Sequence, residues 1–249
     1  MIYVIEPFLT SSHQHWLNLF SAKNGFECET FTLGGYHWKW RMHGAAITMA
    51  EKLAKKAEPD HIIISDMCDV AVFKALLPRN WRCKISLYFH ENQLTFPWSP
   101  SDLDLKLKRN NHYAFINFTS ALAADSVIFN SHFHKTEFLS ALPDFLKQFP
   151  DEAGKNSIKI ISDKSSVIPI HISITPHNEK KWEESEPLIL WNHRWEYDKN
   201  PEAFFETMFK LKHQNLNFKL AVLGSKGKEY PKIFDQAKTH LTEEITHFG

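Results

Sequence analysis

A chain of 249 residues has room for one large domain or two small ones, and 43% hydrophobic residues supply a packed core without disulfides. Its 29 basic side chains balance 29 acidic ones, which excludes a wholly basic nucleic-acid-binding domain but leaves room for a local basic patch. Three cysteines without metal-ligand spacing, and no apolar run near the ~20 residues of a membrane span, point to a soluble protein of a reducing compartment, the cytoplasm.

Residues 2–5 form a short apolar strand, which Glu6-Pro7 is expected to end. The stretch is too short for a signal peptide and meets a carboxylate too soon. Thr10, Ser11 and Ser12 offer N-caps for a helix through Trp16, Leu17, Leu19 and Phe20, closed at Asn24-Gly25. A second strand over 26–33 is broken by Gly34-Gly35. The next helix sets Trp38, Met42, Ala45, Met49 and Leu53 on one face. His37, Lys39, Arg41 and His43 interleave with Trp38 and Trp40, a mixture that suits RNA phosphates and bases, although a Trp and Met stripe also makes plain core.

A buried strand over 61–65 ends at Asp66. Two carboxylates, Asp66 and Asp69, are too few ligands for a metal, and Asp69 is expected to cap a helix over 70–77. The strand 84–89 runs into His90-Glu91-Asn92-Gln93, a dense polar cluster at a carboxyl strand end, where open α/β sheets place their sites. A helix over 110–124, a strand over 126–129 closing at Asn130-Ser131, and a helix over 133–149 follow, with Ser131 as its N-cap. A polar helix over 151–162 and a strand over 167–170 complete the first half. Residues 173–186, with Pro176, a charge run and no apolar period, form a linker.

Beyond it, a buried strand over 187–191 leads through a loop with Arg194 and Lys199 into a helix carrying Phe204, Phe205, Met208 and Leu211. Asp198 or Asn200 caps that helix, with Pro201 in its first turn. Two cations beside a helix N-terminus suit a phosphate, and ordinary surface charge is the competing reading. A strand over 218–223 is followed by Gly224-Ser225-Lys226-Gly227, a turn that either cradles phosphate or merely serves its φ angles. A helix over 230–241 and a last strand from 245 end the sequence.

The Arg194-x4-Lys199-Asn200-Pro201 pattern resembles the donor-diphosphate loop of retaining glycosyltransferases of family 4, which have the two-domain GT-B fold. Glu6-Pro7-Phe8, Ser12-His13-Gln14-His15-Trp16, Ser65-Asp66-Met67 and Tyr88-Phe89-His90-Glu91-Asn92-Gln93-Leu94 resemble the glycosyltransferase-like group that includes the tRNA-queuosine mannosyltransferase. This resemblance covers most of the chain. It implies an α/β, GT-B-like architecture: an N-terminal Rossmann-like acceptor domain over 1–172, a linker over 173–186, and the first part of a donor-nucleotide domain over 187–249.

The resemblance further implies hexosyl transfer from a nucleotide sugar with retention, GDP-mannose being the expected donor and queuosine in tRNA the expected acceptor. His90 holds the donor sugar. Arg194 and Lys199, with Gly224 and Ser225, hold the diphosphate, and Ser12, His13, Glu91, Asn92, Asn130 and Ser131 line the acceptor or cleft side. No metal and no other cofactor are expected, because the two cations take a metal's role. Relatives carry a Gly-rich turn where this chain has Ser11-Ser12-His13, and a paired-glutamate motif that this sequence does not contain. A fragment of a longer protein is therefore the preferred expectation. The alternative is a non-catalytic nucleotide-sugar or RNA-binding module; a phosphorylase or epimerase would need a further cluster that the sequence does not offer. Oligomeric state is not legible here.

Overall fold

The structure, a computed structural model, describes residues 1–23, 25–100, 102–107, 109–151, 154, 156–172, 186–227 and 229–249. The linker expected over 173–186 therefore lies, except for Glu186, outside the described residues. The chain divides into two compact units: Met1–Trp98 with Asp102–Thr175, and Pro176–Gly249 with Ser99–Ser101.

The first unit runs β1 (Ile2–Leu9), α1 (Ser11–Lys23), β2 (Cys28–Gly34), α2 (Trp38–Leu53), β3 (His61–Ser65), α3 (Val70–Leu76) and β4 (Lys84–Phe89). It continues α4 (Leu103–Lys106), α5 (Asn111–Ala123), β5 (Ser126–Phe129), α6 (His132–Leu146), α7 (Asn156–Asp163) and β6 (Ser165–Val167). The strands form one parallel sheet in the order β2-β1-β3-β4-β5-β6. The chain steps outward from β1 to β2, then crosses to the other side of β1 to lay down β3. That reversal is the topological switch point, and its crevice opens at the carboxyl ends of β1 and β3.

Strand sequences such as His-Ile-Ile-Ile-Ser are apolar because helices cover both faces of a parallel sheet. Ile5, Ile62, Ile64, Leu87, Phe89 and Phe129 pack with Met49, Leu53, Phe73 and Phe138 into one core. Phe89 and Phe129 stack at 5.0 Å between centroids. Each such side chain contributes roughly 1.5–3 kcal/mol by burial.

The second unit comprises β7 (Leu188–Asn192), α8 (Pro201–His213), β8 (Lys219–Leu223), α9 (Ile233–His240) and β9 (Ile245–Phe248), its strands parallel in the order β7-β8-β9. Trp191, Phe205, Leu220, Val222 and Phe234 are its core. Both sheets are parallel and helix-connected, as the Rossmann-like, GT-B-type expectation requires. Among the described residues, no helix is long and apolar enough to cross a membrane.

Several boundaries differ from those expected, and three of the differences have a physical cause in the structure. β1 does not stop at Glu6-Pro7 but continues to Leu9, with a register shift between Glu6 and Leu9. Pro7 lacks an N–H, and the irregularity is where a strand tolerates that loss. α7 starts at Asn156 rather than 151, after Gly154 in the left-handed region (φ +62°). β6 runs Ser165–Val167 rather than over the expected 167–170; it starts earlier and stops before Pro169, which cannot donate to the ladder.

Candidate active site

The register of β1 explains how a carboxylate comes to be buried at the crevice. β1 pairs with β3 only as far as Ile5↔Ile64, whereas its pairing with β2 continues past Glu6. Glu6 thus follows the last rung on the β3 side, at the switch point, and is wholly buried. One carboxylate oxygen, Oε1, accepts from the Phe8 N–H at 2.9 Å. The other, Oε2, lies 3.3 Å from His13 Nδ1 in α1 and 3.4 Å from His90 Nε2 after β4. The two imidazoles stack at 4.2 Å with an interplanar angle of 22°. Trp16 and Tyr88 close around His90, with centroids at 4.7 and 4.9 Å.

Charge in this cluster follows from burial set against contact. Burial works to raise the Glu6 pKa, but His13 and then His90 outweigh it and hold the carboxyl at about 2. Burial works to lower the His13 pKa, yet the pairing with Glu6 prevails and raises it. For His90 burial prevails over Glu6, and its pKa is lowered. Glu6 is thus a carboxylate near neutrality, His13 keeps its proton to higher pH than a free imidazole, and His90 loses its proton at lower pH than a free imidazole. Asp66, at the end of β3, is buried, and burial together with the charge of Glu91 raises its pKa well above the usual carboxylate range.

A chain of hydrogen bonds fixes His90 from both sides. Its N–H donates to Asp66 Oδ1 at 2.8 Å, and its carbonyl accepts from Asn130 Nδ2 at 2.8 Å. Asn130 Oδ1 lies 3.0 Å from His134 Nδ1, and Asn92 Nδ2 lies 2.8 Å from His134 Nε2. An amide donor facing Nε2 makes that nitrogen the acceptor, so the proton of a neutral His134 sits on Nδ1. Asn117, buried in α5, accepts from the Gln93 N–H at 2.7 Å and donates to the Asp66 carbonyl at 3.2 Å. The loops after β3 and β4 are thereby tied to one helix.

Beside His90 opens a pocket of about 340 Å³, lined among others by Glu91, Asn92, Thr95, Asn130, Ser131 and His134. The structure thus gathers His90, Glu91, Asn92, Asn130 and Ser131 around one cavity, and joins His13 to His90 through Glu6. Ser12 is not in this group: it is exposed at the start of α1 and shares a hydrogen bond with Thr10 at 3.0 Å. Ser131 caps α6 by accepting from the His134 N–H, and Asp69 caps α3 through Val72. Lys39, in the expected RNA-facing stripe, pairs with Asp102 at 2.6 Å and Asp104 at 2.5 Å, so much of its charge is answered within the unit.

Arg194, Lys199, Gly224 and Ser225 belong to the second unit; the backbone at Arg194 meets Gly224 and Ser225 at the carboxyl ends of β7 and β8, and Lys199 follows in the one-turn helix Tyr197–Lys199. Gly224 has φ +112°, and a Cβ there would stand 2.1 Å from the His193 carbonyl oxygen. Only glycine permits that approach. The Trp195 N–H donates to the Ser225 carbonyl at 3.1 Å, and the Trp195 ring stacks on Phe234 at 4.3 Å. The loop is pinned from below while Arg194 faces outward, 60% exposed and 3.1 Å from Glu196. Lys199 pairs with Asp198 at 2.7 Å. Asn200, at φ 52°, caps α8 by accepting from the Ala203 N–H, and Pro201 takes the first helical position.

Sequence reasoning gave no role to Glu6, His134 or Glu137. A carboxylate inside an apolar strand and a His four residues after Asn130 were the available signals. Glu6, His13 and His90 also present ligand atoms within 4.8 Å of one another, a spacing a metal ion could use. His13 Nδ1 and His90 Nε2 both approach Glu6 Oε2, so as it stands the geometry is a carboxylate shared by two imidazoles.

Two helix-connected parallel sheets, with polar groups gathered at the carboxyl ends of their strands, are the arrangement of a GT-B-type glycosyltransferase. Residues 1–172 match the family described as tRNA-queuosine alpha-mannosyltransferase N-terminal. The chain is also 31% identical, over 259 residues, to the Drosophila melanogaster protein named tRNA-queuosine alpha-mannosyltransferase, a match spanning 100% of this chain and 67% of that protein. The enzyme class is therefore a glycosyltransferase of the mannosyltransferase type. The chain belongs to the tRNA-queuosine alpha-mannosyltransferase family.

Proposed function

We propose that this protein transfers mannose from GDP-mannose, with retention, to queuosine in tRNA, in the cytoplasm and without a metal. The observation that carries the sugar-handling part is a set of buried polar atoms. In the first unit, among the described residues, Ser65 Oγ and Asp66 Oδ2 are buried without a hydrogen-bond partner, and Glu6 Oε2, His13 Nδ1 and His90 Nε2 are buried with only the long contacts of 3.3–3.4 Å that Glu6 makes to the two rings. They gather at the carboxyl ends of β1, β3 and β4, with His13 reaching in from the first turn of α1. Buried polar groups are ordinarily satisfied, so a cluster of exceptions at a switch point marks a ligand site. Donors and acceptors mixed in this way suit the hydroxyls of a hexose. In this reading His90, held neutral and fixed at both its backbone N–H and carbonyl, bonds the donor sugar. Glu6 and His13 keep its ring in place.

Arg194 and Lys199 take the diphosphate and neutralise it as the glycosidic bond lengthens, stabilising the charge that develops on the leaving group. The exposed Arg194–Glu196 pair is worth at most ~1 kcal/mol, so an incoming phosphate displaces Glu196 at little cost. The N-terminus of α8, a helix of 13 residues, adds its dipole. The domains act as proposed from the sequence, 1–172 toward the acceptor and 187–249 toward the donor nucleotide.

Calorimetric titration with GDP, UDP and ADP tests the donor half: GDP should bind best, and Arg194→Ala should abolish its binding without changing the melting temperature. Unchanged GDP affinity in that variant would sink the loop assignment. Incubation with GDP-mannose and queuosine-containing tRNA tests the whole, and absence of mannosylated tRNA at high enzyme concentration overturns it.

A further inference from the structure

The pocket beside His90 has a one-sided chemistry that the transfer reaction does not require by itself. Its described lining carries two carboxylates, Glu91 and Glu137, and no Lys or Arg. The nearest basic side chain on α6, Lys135, turns to the Ser165 carbonyl at 2.6 Å. Its two imidazoles, His90 and His134, both have pKa values lowered first by burial, so neither contributes a cation near neutrality. Such a pocket repels a diphosphate and attracts a cation. Its rim carries Phe133, 74% exposed in the first turn of α6 although it is a large apolar ring. An aromatic face left to solvent at the mouth of a polar pocket suits a flat ring that stacks on it.

Glu137 is held rather than free to wander. Its Oε2 accepts from Thr95 Oγ1 at 3.0 Å, and Thr95 Oγ1 also accepts from Asn92 Nδ2 at 3.0 Å. Asn92 Oδ1 in turn accepts from the Leu94 and Thr95 N–H groups, each at 3.0 Å. The turn after β4 therefore fixes the carboxylate in relation to His90.

We infer that this pocket binds a nucleobase bearing a cationic side chain, with Phe133 stacking on the base and Glu137 neutralising the cation. The inference rests on the acceptor reading proposed above and deepens it. Queuosine has this chemistry: a flat deazaguanine joined through a secondary amine, protonated at neutral pH, to a hydroxylated ring. Seating the amine at Glu137 leaves the hydroxylated ring to reach toward His90, where the sugar is handled. A guanosine lacking the side chain offers no cation and is rejected, because the carboxylate is then left without its counter-charge.

The experiment compares wild type with Glu137→Gln, Phe133→Ala and Phe133→Tyr. It measures the KM for queuosine-containing tRNA under saturating GDP-mannose, GDP affinity by calorimetry, and the melting temperature. Both Glu137 and Phe133 reach the surface of α6, so folding is expected to survive. Glu137→Gln and Phe133→Ala should each raise the KM about tenfold, Phe133→Tyr should restore it, and GDP affinity should not move. Binding of free queuosine nucleoside should weaken in parallel, while guanosine binds wild type no better than it binds Glu137→Gln. If wild type modifies queuosine tRNA and both variants keep its KM, the inference is overturned. If wild type neither binds queuosine nor modifies the tRNA, the acceptor reading itself has failed, a result distinguishable from the first.

Discussion

Removing the carboxylate of Glu6 leaves the His13 imidazolium beside an uncharged neighbour in a buried site. Breaking one partner out of a buried pair costs about 3 kcal/mol or more. Glu6→Gln should therefore lower the unfolding free energy by about that amount in urea at pH 6. The pH dependence has a defined sign. A carboxyl held at about 2 in the folded protein, against its ordinary 4.5, contributes stability that is fully present above about pH 4.5 and is lost as pH falls toward 2. His13, with a raised pKa, contributes below its ordinary value of 6.5 and loses that contribution as pH rises through the folded value. The wild-type advantage over Glu6→Gln should then be greatest between these limits and shrink on either side. A difference in stability that does not vary from pH 3 to 9 would contradict the ion pair.

His134 gives a second residue-scale prediction, resting on geometry as much as on burial. Its Nε2 faces an amide donor and its Nδ1 an amide acceptor, so a proton on Nε2 would set two donors against each other. The ring should be neutral, with Nδ1 protonated, at pH 7.5, above its ordinary pKa and the more so above its lowered one. Nitrogen-15 shifts of the imidazole read this directly, and a protonated Nε2 would refute the network as assigned.

At the scale of elements, the loop after β7 depends on the turn after β8. A side chain at position 224 would have to push the His193 carbonyl aside and adopt a left-handed φ that only glycine takes at ease. Gly224→Ala should destabilise the second unit by on the order of 3 kcal/mol. It should also weaken GDP binding, because Arg194 follows directly on His193. Asn200→Gly, which removes the capping side chain but keeps a residue at ease at φ 52°, should cost less than about 1 kcal/mol. Equal melting temperatures for these two variants would argue against the close approach. The elements themselves were legible in the sequence: the apolar runs at 61–65, 84–89 and 126–129, each bounded by polar residues, gave strands that the structure reproduces. The caps Asp69, Ser131 and Asn200 were legible too, because capping is decided within three residues. Glu6 was not, since its burial depends on which strand lies beside it and on a His far along the chain. Pro7 was read as a strand end because sequence does not show that one side of β1 loses its neighbour after Ile5.

At the scale of the whole molecule, the proposed acceptor chemistry and the proposed donor cations reside in different compact units. Glu6, His13, His90, His134 and Glu137 belong to the first, whose core of strand and helix side chains is continuous within that unit. Arg194 and Lys199 belong to the second, with a separate aromatic core. A core that closes on itself is what allows a segment to fold alone. Residues 1–172, expressed by themselves, should melt in one cooperative transition and bind queuosine nucleoside with the affinity of the longer chain. The same fragment should give no heat with GDP, because it lacks the loop after β7 that is proposed to hold the diphosphate. GDP binding retained by this fragment would place the nucleotide in the first unit and undo the division of labour between acceptor and donor. A fragment that fails to fold would show instead that the first unit draws its stability from residues beyond 172.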